Sequence, residues 1–232
     1  MRDDICSIPV NDVFLPKCGC PICRMRDMLE ERMVEYILGA AMMEPDVRIK
    51  TNEMGFCADH LKMMMTKRNR LSLGLILESH LVHMSKEVFE GKGFLKPGPK
   101  KSAYSAAKIL ETCFVCDRVQ WGMERLLATV FRLFGSEGDF RALFSEQELL
   151  CLPHYHLLIA GAQKDVNKRY LGEFERVCKN LSGNYLTSLQ NDVSHFCKMF
   201  DYRNSGEDAD WGNSKDSIER SAGYLTGRFK NE

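Results

Sequence analysis

Apolar residues recur along most of the chain three and four positions apart, the spacing that paints one stripe on a helix. Met28, Met33, Tyr36 and Ile37 mark such a stripe within a helix expected from Arg24 to Ala41, and a matching pattern runs from Asp117 to Phe134. Each is followed by a turn-like stretch, Glu44-Pro45-Asp46 or Gly135 to Asp139, and then by a short second helix. Longer helical patterns begin at His60 and His154 and run to about Glu90 and about Lys179. Beyond Ser182, the series Tyr185, Leu189, Val193, Phe196 and Phe200 predicts a further helix, and Ser214 to Phe229 a closing one after the polar stretch Ser205 to Asn213. Period-2 alternation of β-branched residues is missing at any useful length, so the expected fold class is all-α.

The segment Gly91 to Lys101, rich in Gly, Pro and Lys, cannot continue a helix and reads as a linker between two like halves. The halves share a motif. Cys20-Pro21-Ile22-Cys23 is followed after 33 residues by Cys57-Ala58-Asp59-His60, and Cys113-Phe114-Val115-Cys116 after 34 residues by Cys151-Leu152-Pro153-His154. A period of about 93 residues is too long for a solenoid unit and points to duplication. The expected organisation is a first metal-binding repeat over 1–91, a linker over 92–101, a second repeat over 102–182 and C-terminal helices with a loop over 183–232.

The motif names a chemistry. Structural zinc takes four Cys or His ligands in a tetrahedron, and a Cys-x2-Cys plus a Cys-x2-His supply four. Read within each half, Cys20, Cys23, Cys57 and His60 form one site, and Cys113, Cys116, Cys151 and His154 the other. Each close pair opens a helix, whose N-terminal partial positive charge favours thiolates. Two zinc ions per chain are expected; a Cys3His set also suits an iron–sulfur cluster. Four protein ligands leave no open position for water or substrate, which argues for a structural site and against hydrolysis.

Composition narrows the picture further. Lys plus Arg equals Asp plus Glu at 32 each, so no global field draws the chain to nucleic acid or anionic lipid. The start, Met1 to Cys6, carries acids where a signal peptide needs bases, and Leu71 to Leu77 falls short of a membrane span; a cytoplasmic address is expected. Ten cysteines in that compartment imply metal ligation or burial rather than disulfides. Cys18 is a spare thiol beside Cys20, open to ligand replacement or redox chemistry but more simply a loop cysteine; Cys6, Cys178 and Cys197 have no close partners. His80, His83 and Glu87 share a helix face without a matching set of acids elsewhere, and His156 points away from His154. Lys62, Lys67, Arg68 and Arg70, with the linker lysines, are the only basic concentrations, and they lack interleaved aromatics.

The stretch from Asp201 to Trp211 gathers Asp201, Tyr202, Arg203, Asn204 and Trp211 in an expected loop, where binding groups concentrate. A planar guanidinium flanked by a phenol and an indole suits an anion or a protein partner. The alternative is structural, with Tyr202 and Trp211 pinning the tail and Asn213 or Ser214 capping the last helix. No nucleophile with an adjacent base stands near in sequence, although folding can bring His195 close.

With these motifs in place, the chain resembles a family of uncharacterised bacterial proteins, mainly from Firmicutes, that carry CPxC … GFCxxH, a second CxxC … CxxH and a terminal FDYRN … WG segment. Here those are Cys20 to Cys23, Gly55-Phe56-Cys57-Ala58-Asp59-His60, the second set above, and Phe200 to Asn204 with Trp211-Gly212. Phe114-Val115 departs from the Cys-Pro opening of the first pair. Such proteins are sometimes labelled ABC-transporter substrate-binding proteins, yet this chain has neither the alternating βα units of a two-lobed solute binder nor export signals. The function expected is a zinc-stabilised helical binding or adaptor protein with an unknown protein or small anionic ligand as partner. A redox or metal-responsive sensor is the alternative, nucleic-acid binding ranks third, no membrane association is expected, and an enzyme is disfavoured.

Overall fold

The computed structural model describes residues 6–90, 97–201 and 210–229. Among the described residues every regular element is helical, as the periodicity predicts. In chain order these are α1 (Ser7–Phe14), α2 (Pro21–Leu38), a 3-10 turn (Ala40–Met43), α3 (Pro45–Met54), α4 (Ala58–Thr66), α5 (Arg70–Met84) and a π-helical stretch (Ser85–Glu90). The order continues with α6 (Pro99–Leu110), α7 (Phe114–Ser136), α8 (Gly138–Ser145), α9 (Leu152–Asp165), α10 (Lys168–Met199) and α11 (Ser217–Thr226). No helix among the described residues is long and apolar enough to cross a membrane.

The helix boundaries follow local chemistry that apolar spacing alone does not reveal. The pattern beginning at His60 is cut between α4 and α5, where Asn69 Oδ1 accepts the Ser72 N–H at 3.3 Å and the Asn69 amide donates to the Leu38 carbonyl at 2.6 Å. A side-chain cap offers the backbone a start that competes with continuing the previous helix. Asn167 does the same at α10, accepting the Arg169 N–H at 3.0 Å. Conversely, no break occurs at Ser182: α10 runs through it, and the Ser182 hydroxyl bonds the Tyr224 hydroxyl at 2.9 Å. The expected linker is shorter than its composition suggests, because Pro99 takes the first-turn position of α6, where its missing N–H costs nothing; residues 91–96 lie outside the described residues.

Packing divides the chain into two compact units, Met1–Arg26 with Glu124–Glu232, and Asp27–Met123. The sequential division at 1–91, 92–101, 102–182 and 183–232 is not the one the packing makes. The boundaries fall inside α2 and α7, so each of these helices gives its first residues to one unit and its remainder to the other. The unit Asp27–Met123 is built on Val34, Ile37, Leu38, Met64, Leu73, Ile76, Phe114, Val115 and Val119, all buried. Met64 belongs to this core while Met65 beside it is half exposed, as a helix face requires.

The other unit has an aromatic core. Phe144 is fully buried, with ring centroids 5.2 Å from Phe174, 5.4 Å from Phe134 and 5.6 Å from Phe14. Stacked, tilted and edge-on rings at such distances add to the gain from burial. Phe144→Ala is expected to cost about 3–5 kcal/mol of folding free energy through lost transfer energy and a residual cavity. Urea denaturation monitored by circular dichroism checks this, and a loss under about 1 kcal/mol would mean that the site collapses freely.

Candidate metal centres

All eight Cys and His residues of the doubled motif come together in two groups of four. The grouping is crosswise. Cys20 and Cys23 meet Cys151 and His154, whereas Cys57 and His60 meet Cys113 and Cys116. The pairing of each Cys-x2-Cys with the Cys-x2-His that follows it is therefore corrected: each close pair joins the complementary pair of the other repeat. Each group lies wholly within one packing unit.

The two repeats position their groups in the same way. Cys57 and Cys151 both stand immediately before a helix with nearly equal extended backbone angles, φ −73° and ψ 165° against φ −67° and ψ 158°. His60 and His154 then fall on the first turn of α4 and α9, so Sγ and Nδ1 of each Cys-x2-His approach to 3.1 Å. Cys20 and Cys113 directly precede α2 and α7, and Cys23 and Cys116 sit on the first turns. Each motif is a short loop closed onto a helix start.

Long-range bonds decide which starts meet. In the unit Asp27–Met123, the Phe114 N–H donates to the Gly55 carbonyl at 3.0 Å and the Thr112 hydroxyl to the Met54 carbonyl at 2.8 Å. These staple the segment before Cys57 to the segment holding Cys113. Gly55 has φ +63° and ψ −156°, and a Cβ there would lie 2.9 Å from His80 Nε2. His80 itself is buried and its Nδ1 bonds the Asn52 carbonyl at 2.9 Å, a packed core histidine.

In the other unit the stitching runs through Arg24 and Gln147. The Arg24 guanidinium donates to the Val13 carbonyl from Nη2 at 2.7 Å and to Gln147 Oε1 at 3.2 Å, while Gln147 Nε2 donates to the Phe14 carbonyl at 2.8 Å. Gly19 N–H bonds the Glu148 carboxylate, and Lys17 pairs with Glu146 at 2.6 Å. The turn before α2 is thereby tied to the segment before α9, and Cys20 and Cys23 face Cys151 and His154. Nothing in the sequence distinguishes Arg24, Gln147, Thr112 and Glu30 from surface polar residues. The glycine of Gly55-Phe56-Cys57 does carry a signal, since a glycine just before a helix start often marks a backbone angle other residues avoid.

The separations are those of a tetrahedron around one ion. Zn–S bonds of about 2.3 Å and Zn–N bonds of about 2.0 Å give edges of about 3.8 Å between sulfurs and about 3.5 Å between sulfur and nitrogen. Cys23 and Cys151 Sγ are 3.7 Å apart, and His154 Nδ1 lies 3.6, 3.3 and 3.1 Å from Cys20, Cys23 and Cys151. In the second group Cys57 and Cys116 Sγ are 3.9 Å apart, and His60 Nδ1 lies 3.1, 3.4 and 3.4 Å from Cys57, Cys113 and Cys116. A disulfide would bring two sulfurs to about 2.05 Å. On the far side of the His60 ring, Glu30 Oε1 stands 3.8 Å from Nε2, the carboxylate support that leaves Nδ1 turned to the sulfurs.

Without a metal the groups must share protons. Burial alone would push Cys113 up, but hydrogen bonds from His60 and from the Cys116 and Cys57 backbone outweigh it and bring the thiol down to about 6. Burial and the Cys113 sulfur push Cys116 up to about 12, and the Cys113 and Glu30 bonds raise His60 to about 10. In the first group Cys20 is lowered despite its burial by bonds from Cys151, Cys23 and His154, while the bond to Cys20 pushes Cys151 up to about 12. In the second group Cys113 is thus the sulfur that gives up its proton first, while Cys116 and His60 hold theirs, protons that a divalent cation displaces.

This doubled signature, set on the same helix starts, agrees with a family match over residues 1–232. The chain belongs to the DUF6062 family. That family is one of unknown function. No curated protein and no solved structure matches the chain. DUF6062 membership thus places the chain among relatives without lending it an activity, and the chemistry has to be read from these residues.

The remaining expected site residues are placed as follows. Asp201 closes α10, its N–H bonding the Lys198 carbonyl at 3.1 Å, while Tyr202, Arg203 and Asn204 lie outside the described residues. Trp211 packs its ring 5.8 Å from both Phe196 and Phe200. Neither Asn213 nor Ser214 caps α11; Ser214 is buried and donates to the Trp211 carbonyl at 2.6 Å, and Asp216 precedes the helix. His195 Nε2 bonds the Asp210 carbonyl at 2.9 Å. Cys18 is exposed with Arg24 Nη1 at 3.7 Å, Cys178 is fully buried, and His156 is exposed. Of the bases near Asn69, Lys67 is held by Glu31 and Glu35.

Proposed function

We propose that this DUF6062 protein is a zinc-stabilised helical binding or adaptor protein that carries two zinc ions per chain. The observation that carries the reading is the pair of four-member Cys3His groups, whose ligand atoms all lie within 4.8 Å of one another. That spacing closes around a single ion and leaves no room for a multi-iron cluster or an open coordination position, which supports zinc in a structural role. Metal bound only by the folded chain contributes its binding free energy to folding. The segment from Asp201 to Trp211, with Tyr202, Arg203 and Asn204, is the contact region proposed for a protein or small anionic partner. The neutralised Lys67 supports leaving nucleic acid out.

Elemental analysis of protein purified without added metal is expected to return two zinc per chain and colourless solutions. A ratio near zero would end the reading, and brown protein with iron would replace it by the sensor alternative.

Acid should strip the metal in a defined way. With His60 near 10 and Cys116 near 12 in the metal-free chain, both hold protons at neutral pH, and zinc must displace them. Affinity of the second group therefore weakens by at least about 100-fold per pH unit as pH falls, tenfold for each displaced proton. Below about 6, where Cys113 also takes a proton, the slope steepens. Competition titrations against a chelator from about pH 5 to 8 measure both slopes; affinity independent of pH would contradict coordination by these groups.

A further inference from the structure

The two groups differ in what shields them. In the first, all four side chains are buried, with Cys20 at 1%, Cys23 at 3%, Cys151 at 0% and His154 at 8% exposed. The C-terminal end of α11 covers it as well. Gly227 takes the left-handed cap position at φ +68°, a Cβ there would stand 3.4 Å from Cys151 Sγ, and its carbonyl lies 3.2 Å from Cys23 Sγ.

In the second group only Cys113 and His60 are buried; Cys57 is half-buried and Cys116 exposed. The sulfurs of these two less buried residues are neighbours, 3.9 Å apart. Both also sit at helix starts, Cys57 as the residue before α4 and Cys116 on the first turn of α7, and a bound zinc holds both as thiolates. Oxidation of cysteine follows thiolate character and access, and a resolving thiol close by makes it reversible.

We propose that the Cys57 and Cys116 edge of the second group is an oxidant-responsive site, which a hydroperoxide closes to a disulfide with release of zinc while the first group keeps its ion. This rests on the reading that both groups hold zinc. The Cys116 sulfur attacks one peroxide oxygen, the O–O bond breaks, and the other oxygen leaves as water or alcohol after taking a proton. The resulting sulfenic acid is attacked by the Cys57 thiolate; the S–S bond forms, the S–O bond breaks, and hydroxide leaves. Two thiolates lose two electrons and the hydroperoxide gains them, with zinc unchanged in oxidation state. Zinc is left with Cys113 and His60 alone and dissociates.

The test exposes the zinc-loaded full chain to hydrogen peroxide and follows zinc release with a chromogenic chelator, with disulfide mapping by mass spectrometry. One of two equivalents is expected to leave, at least about tenfold faster than the other, since exposure governs the attack. Mapping should find Cys57 bridged to Cys116 while Cys20, Cys23 and Cys151 stay unmodified. Cys116→His retains a fourth ligand, so that variant should hold two zinc ions and lose the fast phase. Release of both ions together, release from the first group first, or a bridge between Cys113 and Cys116 instead would overturn the inference and leave the metal reading standing. Protein isolated without metal would overturn both.

Discussion

A Cys57→Ser chain is expected to bind one metal ion instead of two, and the thiols that become reactive are Cys113 and Cys116, not Cys20 and Cys23. The reason is the crosswise grouping, in which Cys57 shares its ion with the second Cys-x2-Cys rather than the first. Structural zinc contributes on the order of 10–16 kcal/mol in small zinc domains at neutral pH, so losing one thiolate ligand from a closed shell removes much of the hold on the ion. Alkylation with an iodoacetamide reagent followed by peptide mapping reads the outcome directly. Cys6→Ser is the control, because Cys6 belongs to neither group; it should keep both ions and all the protection. Modification of Cys20 and Cys23 in the Cys57 variant would restore the in-sequence pairing and refute the crosswise grouping.

The second large effect is expected at Gly55. Its φ of +63° with ψ of −156° is a conformation almost confined to glycine, and a side chain there runs into the buried His80 ring 2.9 Å away. Backbone strain of about 1–3 kcal/mol and a further ~1–3 kcal/mol of overpacking should add in Gly55→Ala. Because the Gly55 carbonyl holds the Phe114 N–H at 3.0 Å, the strain acts on the contact that sets Cys57 beside Cys113. Zinc affinity of the second group should fall with stability, while the first group is unaffected. Gly74→Ala provides the comparison: it lies inside α5 with nothing within 4 Å of its would-be Cβ, and it should stabilise by up to about 1 kcal/mol through helix propensity. Denaturant melts of the two variants at fixed zinc decide the matter; equal stabilities would mean that the Gly55 turn relaxes without cost.

Most of the helical plan could be read from the sequence, because apolar spacing over ten or more residues is a strong local signal. The long helices after each Cys-x2-Cys, the short ones that follow and the closing helix all stand close to where periodicity puts them. The boundaries that differ trace to single side chains. Asn69 and Asn167 cap new helices in mid-pattern, and an asparagine between two apolar runs is a weak signal beside the runs themselves. The short α1 offers little amphipathic length, and α6 lies directly behind a Pro- and Gly-rich stretch and buries none of its side chains.

The sequence by itself determined which eight residues can act together, since a Cys-x2-Cys or Cys-x2-His folds locally into a chelating turn at a helix start whatever lies elsewhere. It also determined their number and their chemistry, three sulfurs and one imidazole in each set. Only the tertiary structure decided how the four turns pair. Spacings of 33 and 34 residues are compatible with closure within a repeat, and loop-closure entropy changes slowly enough with length that separations of more than 120 residues between Cys23 and Cys151 are not prohibitive. What selects the partner is packing and hydrogen bonding remote in sequence: Arg24 and Gln147 on one side, Gly55, Thr112 and Phe114 on the other. Those bonds leave no periodic trace, because each joins single residues whose proximity exists only once the helices have packed.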